Sequence, residues 1–474
     1  MTFLATSSQS SNQQPDRQRR RFLQSTLLAG GAGLSLGDVL ALKAAGADGG
    51  SSSARKDTAV IQIWLGGGPS QFETFDPKPN APVEFRGPYN AISTQLPGIQ
   101  FCETMPKTAQ VMNRAAVIRT VAHTTNGHFV GAHWCMSGYE GVTGKTTHPS
   151  SGAVASRFRG PARPGMPSYV LLTEEQTRNP VIATVTSSAY LGVQHSPFTI
   201  FQDPFDWNHQ PEKIRTAASS LKLADDLTLA RVEDRRSLLK GLDRFSRRAD
   251  AAGIMQGVDE MNRQALDMVT SGAARRAFDL TQETQATRER YGGNRWGQMG
   301  LLARRLVEAG VTFVTFNTAP DSLCWDWHRN IVDDKRPADG SGGPSRGMKI
   351  SGPRLDQMLS ALINDLYDRG LDKKVLLVVW GEFGRTPRVN KTGGRDHWGS
   401  LQSVLLSGGG LKVGQVIGKS NSKGEVPSDR PVHPTDVLAT LYRHLGIATD
   451  QNAVNNAGRP IPILSSGRPI DELI

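Results

Sequence analysis

Short, mainly apolar runs bounded by glycine or polar turns recur at 59–65, 115–121, 168–172, 311–316, 375–380 and 403–407. Runs this short, with little polar alternation, predict strands buried on both faces, as in a parallel sheet. Helical periodicity lies between several of them. It predicts helices over 129–138, 295–309, 354–368 and 434–445, with Gly310, Gly370 and Gly446 as stops. A helix passing straight into a strand, as at Gly310, is the repeating unit of an α/β fold. From 210 to 292 the chain is instead polar and rich in Arg, Ala, Leu and Glu, without a strand run. That stretch predicts a helical insertion packed on the sheet.

In open α/β sheets, ligands sit beyond the carboxyl ends of the strands, so the polar segments after each run carry the candidate chemistry. After 375–380 comes Gly381-Glu382-Phe383-Gly384-Arg385-Thr386-Pro387, then Gly393-Gly394-Arg395-Asp396-His397-Trp398. A carboxylate, a guanidinium and an Asp-His pair on a Gly-rich loop suit metal or anion binding better than packing. After 59–65 comes Gly66-Gly67-Gly68-Pro69-Ser70, whose amides can face an anion. Ser70, Glu73 and Asp76 are the polar candidates there, although a turn without chemistry fits each one equally. After 115–121 come His123, His128 and His133. Steps of five do not align on one helix face, so only His128, at a helix start where anions are favoured, stays a candidate. After 311–316 comes Trp325-Asp326-Trp327-His328; in extended chain Asp326 and His328 share a face and could share an ion or simply bond each other. Gly144-Lys145-Thr146 lacks the glycine and the strand of a phosphate loop. Gly343-Pro344-Ser345-Arg346-Gly347 lacks the strand before a nucleophile elbow.

Composition narrows the class. The 474 residues are 38% hydrophobic and 21% charged, enough for a sizeable core. The formal charge of +11 is spread, which describes a solvated basic surface or one that meets an anion. No recognised nucleic-acid module occurs. Three cysteines give neither a disulfide framework nor a thiolate zinc site, so any metal needs His and carboxylate ligands. Gln18-Arg19-Arg20-Arg21-Phe22-Leu23 resembles a twin-arginine export signal, followed by a weakly apolar Gly/Ala-rich stretch and small residues at Ala45-Gly46-Ala47. Gly30, Gly31, Gly33, Gly37 and Asp38 make that stretch a poor membrane anchor. The expectation is a leader over 1–47, removed on export to the periplasm or cell envelope. The remainder, 48–474, then forms one domain without a membrane span.

Gly67-Gly68-Pro69-Ser70 with Thr74-Phe75-Asp76-Pro77, Trp325-Asp326 with His328, and the Gly381–Pro387 and Gly394–Trp398 elements together resemble the domain-of-unknown-function family 1501. The resemblance spans nearly all of the chain after the leader and implies a sulfatase-like branch of the alkaline phosphatase superfamily. It implies a three-layer α/β/α core with a mostly parallel sheet and a metal-bound sulfate- or phosphate-ester site. Asp326, His328, Glu382 and His397, with Asp396 beside the last, would hold one divalent ion, zinc or calcium. His128 would attack or position water, Arg385 and Arg395 would clamp the ester oxygens, and Ser70 and Asp76 would face the substrate. The sequence departs from the superfamily at its first-strand Asp, where glycines stand, and at its nucleophile. The expected function is ester hydrolysis, with a sulfated polysaccharide as one candidate substrate. The alternative is a silent member of the fold that binds an anionic glycan or an envelope partner.

Overall fold

A computed structural model describes residues 57–142, 145–173, 181–200, 263, 272–318, 324–333 and 347–474. The expected leader, most of the expected 210–292 insertion and the 343–346 stretch lie outside the described residues. Along the chain, the elements that carry the architecture are β1 (Ala59–Trp64), β2 (Ala115–Val121), α1 (His128–Ser137), α2 (Ser151–Phe158), β3 (Tyr169–Leu172) and β4 (Phe198–Ile200). Then follow α3 (Gly272–Phe278), α4 (Arg295–Ala309), β5 (Phe313–Asn317), α5 (Met348–Asp368) and β6 (Val375–Trp380). The last group is β7 (Gly384–Arg385), β8 (His397–Trp398), β9 (Gln402–Gly408), β10 (Gln415–Ile417) and α6 (Pro434–Leu445).

Eight strands form one sheet in the order β10-β2-β9-β6-β1-β5-β3-β4. β1 lies between β5 and β6 and pairs in parallel with both; β3 pairs in parallel with β4 and β5, and β10 with β2. Among these strands β9 alone runs antiparallel, against β2 and β6. The sheet is therefore mostly parallel, the α/β class expected. The central strands β1, β5 and β6 are buried at every position, because helices cover both faces. One face packs Ile61, Ile63, Val314, Phe316, Leu377 and Val379 against α4 and α5. The other packs Val60, Trp64, Leu376, Val378 and Trp380 against α1, α2 and α6.

One helix and two edge strands differ from the sequence reading. Helix α5 starts at Met348 and contains Pro353, where the pattern predicts a start at 354. Burial of Met348, Ser351 and Gly352 outweighs the missing proline N–H. The edge strands β4 and β10 are only three residues long and partly exposed, too short for a period to show.

The loops after β1, β5 and β6 leave the sheet at one edge, because those three strands are adjacent and parallel. Leu377, on central β6, is fully buried. Leu377→Ala is expected to lower stability by about 2–5 kcal/mol. The readout is a lower denaturant midpoint at unchanged slope; an unmoved midpoint would contradict the packing described.

Candidate metal centre

Local packing aims each polar group. In the segment after β5, Trp325 and Trp327 turn inward, tilted against each other at 5.2 Å, and Trp325 stacks at 5.7 Å on Trp296. Their indole N–H groups donate to Thr318 Oγ1 (2.9 Å) and Cys324 O (3.0 Å). Alternation then turns Asp326 and His328 outward together. Strand β8 pairs antiparallel with β7, setting His397 opposite Arg385. His128 is the first residue of α1, after Gly127, which offers no side-chain cap. Gly394 lets the β7–β8 loop press on the segment after β5: a Cβ there would overlap the backbone of His328 and Arg329.

These segments meet around one carboxylate. His328 Nε2 lies 2.9 Å and His397 Nε2 3.0 Å from Asp326 Oδ1, and His128 Nε2 lies 3.5 Å from Asp326 Oδ2. The other ring nitrogens all face acceptors. His128 Nδ1 meets Glu382 Oε1 at 2.6 Å, His328 Nδ1 meets Asp396 Oδ1 at 2.7 Å, and His397 Nδ1 meets Asn126 O at 2.8 Å. Because acceptors of this kind need a proton from the ring, each imidazole carries hydrogen on Nδ1 and turns Nε2 to the centre. His328 Nε2 and His397 Nε2 are 2.8 Å apart. Two lone pairs cannot face each other at that distance, so a proton or a metal ion must lie between them. His128, Asp326 and His397 offer ligand atoms all within 4.8 Å of one another, a group that could hold a metal. His328 adjoins them, and carboxylate-backed histidines are the usual surroundings of such ions.

Charge is redistributed accordingly. Burial disfavours ionised Asp326, but bonds from His128, His328 and His397 and the nearby Arg385 hold its carboxyl far below the ordinary range. Burial also opposes a charged His128, yet Asp326 and Glu382 raise its pKa to about 9. Asp326 raises His328 against partial burial. Burial lowers His397, outweighing its bond to Asp326.

Of the residues singled out in the sequence, His128, Asp326, His328 and His397 converge. Glu382 and Asp396, expected as ligands, stand behind His128 and His328 instead. Glu382 Oε1 is engaged by His128 and by Gly67 N–H at 2.8 Å. The clamp expected of Arg385 and Arg395 is not formed. Arg385 is buried and donates to the carbonyls of Gly67, Gly68, Trp325 and Arg395 and to Asp326 Oδ1. Arg395 is buried against Glu73 (3.0 Å) and the carbonyls of Phe85, Thr386 and Pro387. The glycine turn after β1 receives both signs: the Gly67 N–H faces the Glu382 carboxylate, while Gly67 and Gly68, at positive φ (107° and 86°), point their carbonyls at Arg385. Ser70 and Asp76 do not face a substrate. Ser70 Oγ accepts from Phe72 N–H at 3.3 Å, and fully buried Asp76 is enclosed by Lys78, Arg119 and Ser420. Asn126 was missed; its carbonyl fixes the His397 tautomer and its Oδ1 accepts from Gly399 N–H at 2.7 Å. An exposed Asn before Gly reads as an ordinary turn, so only coordinates show this role.

The family described as "Protein of unknown function (DUF1501)" matches residues 57–474. No curated protein matches the chain. Among solved structures, the PsFucS1 sulfatase from Pseudoalteromonas sp. is 12% identical at a TM-score of 0.33, covering 91% of this chain and 73% of that one. A sulfatase of Bacteroides thetaiotaomicron linked to glycosaminoglycan metabolism is 11% identical at 0.36, covering 82% and 73%. The phosphonate monoester hydrolase of Agrobacterium radiobacter is 11% identical at 0.32, covering 87% and 78%.

Two outcomes test this geometry. With a pKa of about 9 in the metal-free protein, His128 is protonated at pH 7, and an ion must displace that proton. Apparent metal affinity should therefore rise with pH up to about 9, with proton release seen as a buffer-dependent heat of binding; uptake without release would place the ion elsewhere. By the same raised pKa, this imidazolium's contribution to metal-free stability is complete below 6.5 and lost as pH climbs through about 9. Gly394→Ala, and at an exposed position Asp396→Asn, should each weaken metal binding about 10–100-fold. Competition with a chelator measures this, and unchanged affinity in both variants would remove His328 from the centre.

Proposed function

The chain belongs to the protein family of unknown function DUF1501, and on that premise we propose that it is a metal-dependent hydrolase of sulfate or phosphate esters. The observation that carries this reading is the convergence of three imidazole Nε2 atoms on the Asp326 carboxylate. Such a nitrogen-rich donor set suits zinc or a similar transition ion, whereas calcium prefers six or more oxygens. When bound, the ion supplies Lewis acidity toward the ester oxygen and a water of lowered pKa. The protein's own groups do the rest. Glu382 and Asp396 keep the Nδ1 protons of His128 and His328, so both Nε2 atoms stay turned to the reacting group. The amino end of α1, which His128 opens, carries partial positive charge that draws the ester's anionic oxygens. Phe383, stacked 4.7 Å from His397 and packed 5.2 Å from His128, closes the inner side against water.

The sequence supports a wider form of the proposal. The twin-arginine-like leader suits a protein folded around its ion before export, acting in the periplasm or envelope on an anionic ester such as a sulfated polysaccharide. Among the described residues, no helix is long and apolar enough to cross a membrane. One observation favours a second reading, a silent member of the fold that binds an anionic glycan. Arg385 and Arg395 are both taken up by carbonyls and carboxylates, leaving neither to stabilise charge on a leaving group.

Aryl sulfates, phosphate monoesters and diesters and phosphonate esters separate the two. The hydrolase reading expects turnover on at least one, abolished by chelation and restored by a divalent transition ion. His397→Ala should lower kcat/KM by more than the roughly 10–100-fold typical of outer-shell substitutions, with the fold retained. Stoichiometric metal without turnover on any of these esters would sink the hydrolase reading and leave the binding one.

A further inference from the structure

A second charged feature lies at the other end of the sheet. The loop before β3, the turn from α4 into β5 and the end of α5 all lead to the amino ends of parallel strands, opposite the metal centre. Between them is a cleft of about 330 Å³ lined by Arg163, Arg276, Arg304, Arg305 and Arg369 against two carboxylates, Glu283 and Glu308. Met166, Ala277 and Ala309 form its apolar part.

The two glutamates are already shared among three of the arginines. Glu308 receives Arg304 Nη1 at 2.6 Å and Arg369 Nε at 2.5 Å. Glu283 receives Arg305 Nη1 and lies 2.9 Å from Arg304 Nη2. Arg305 further donates to the Arg276 and Ala277 carbonyls at the end of α3. The Arg304 side chain is 1% exposed; its Nη2, 2.9 Å from Glu283, and its Nε, 3.4 Å from Asp365 Oδ2, are matched in charge although neither is aligned for a hydrogen bond. Arg163 and Arg276 are exposed and have no acidic partner among the described residues. The stem of Arg163 is seated by the α4–β5 turn: Gly310, at φ 111°, brings its backbone so close that a Cβ would lie 2.6 Å from Arg163 Cβ.

The lining sets five guanidiniums against two carboxylates, and because Arg163 and Arg276 at its rim have no acidic partner among the described residues, positive charge is left over at the mouth of the cleft. Guanidinium forks match the oxygens of tetrahedral oxyanions, and a cleft with excess positive charge concentrates them. We propose that this cleft binds a tetrahedral oxyanion group, sulfate or phosphate, either as the free ion or as a substituent of a larger molecule. Arg163 and Arg276 reach it from the rim, above the floor in which Arg304 is held by Glu283, Glu308 and Asp365. The site is independent of the metal centre and of the reaction proposed there.

The test is calorimetric titration of the metal-free protein with inorganic sulfate, inorganic phosphate, a sulfated disaccharide and its unsulfated counterpart. It is made on the wild type, on the Arg163→Ala/Arg276→Ala double variant and on His397→Ala. The double variant removes two exposed side chains and leaves the buried Arg304 cluster intact, so its metal uptake should match the wild type. The expected result is oxyanion binding weakened about tenfold or more in the double variant and unchanged in His397→Ala. Tight inorganic ions identify the free ion as the source, and binding of the sulfated sugar alone identifies a substituent; both uphold the site. No binding by the wild type, undiminished binding by the double variant, or loss in His397→Ala would overturn it.

Discussion

The buried half of the candidate metal centre is held by one ion pair. Arg385 donates to Asp326 Oδ1 at 2.7 Å while its remaining donors reach carbonyls from the turn after β1 and the segments after β5 and β7. Burying a guanidinium costs several kcal/mol unless every donor is matched, and here backbone oxygens do the matching. Because these carbonyls come from separate loops, Arg385 ties the ends of three strands into one rigid rim. Asp326 is left ionised, its Oδ1 shared by Arg385, His328 and His397 and its Oδ2 facing His128. The carboxylate is thus at once the anion that pairs Arg385 and a candidate ligand.

Behind that rim the work is divided in layers. Histidines face the centre, and Glu382, Asp396 and the Asn126 carbonyl fix which ring nitrogen each presents. Arg395, Glu73 and the cation–π contact of Arg395 with Phe72 at 4.0 Å brace the loop that carries His397. The opposite edge of the sheet gathers positive charge instead, around Arg304. Both ends of the same parallel sheet therefore carry sites of unlike chemistry, one presenting donors to a cation and the other N–H groups to an anion.

The fold was legible because burial on both faces leaves a plain signature: the runs at 59–65, 311–316 and 375–380 are the central strands. Strand direction was not legible. The run at 403–407 is as apolar as its neighbours, since a strand inside a covered sheet is buried whichever way it points. At the centre, alternation in Trp325-Asp326-Trp327-His328 indicates one shared face for Asp326 and His328. What sequence could not separate was ligand from support. Glu382 and Asp396 have the same donor chemistry as Asp326, and only the position of the histidine rings puts them behind. Arg385 and Arg395 look like an oxyanion clamp in sequence, but distant carbonyls decide their fate.

The central claim is that three imidazoles and one carboxylate form a single coordination shell. X-ray absorption at the metal edge, on protein loaded with one equivalent of zinc, tests it most directly. The account predicts four nitrogen or oxygen ligands at about 2.0–2.2 Å, with the multiple-scattering pattern of three imidazoles that loses one in His397→Ala. A shell of oxygens alone, or an imidazole count indifferent to that substitution, would contradict it.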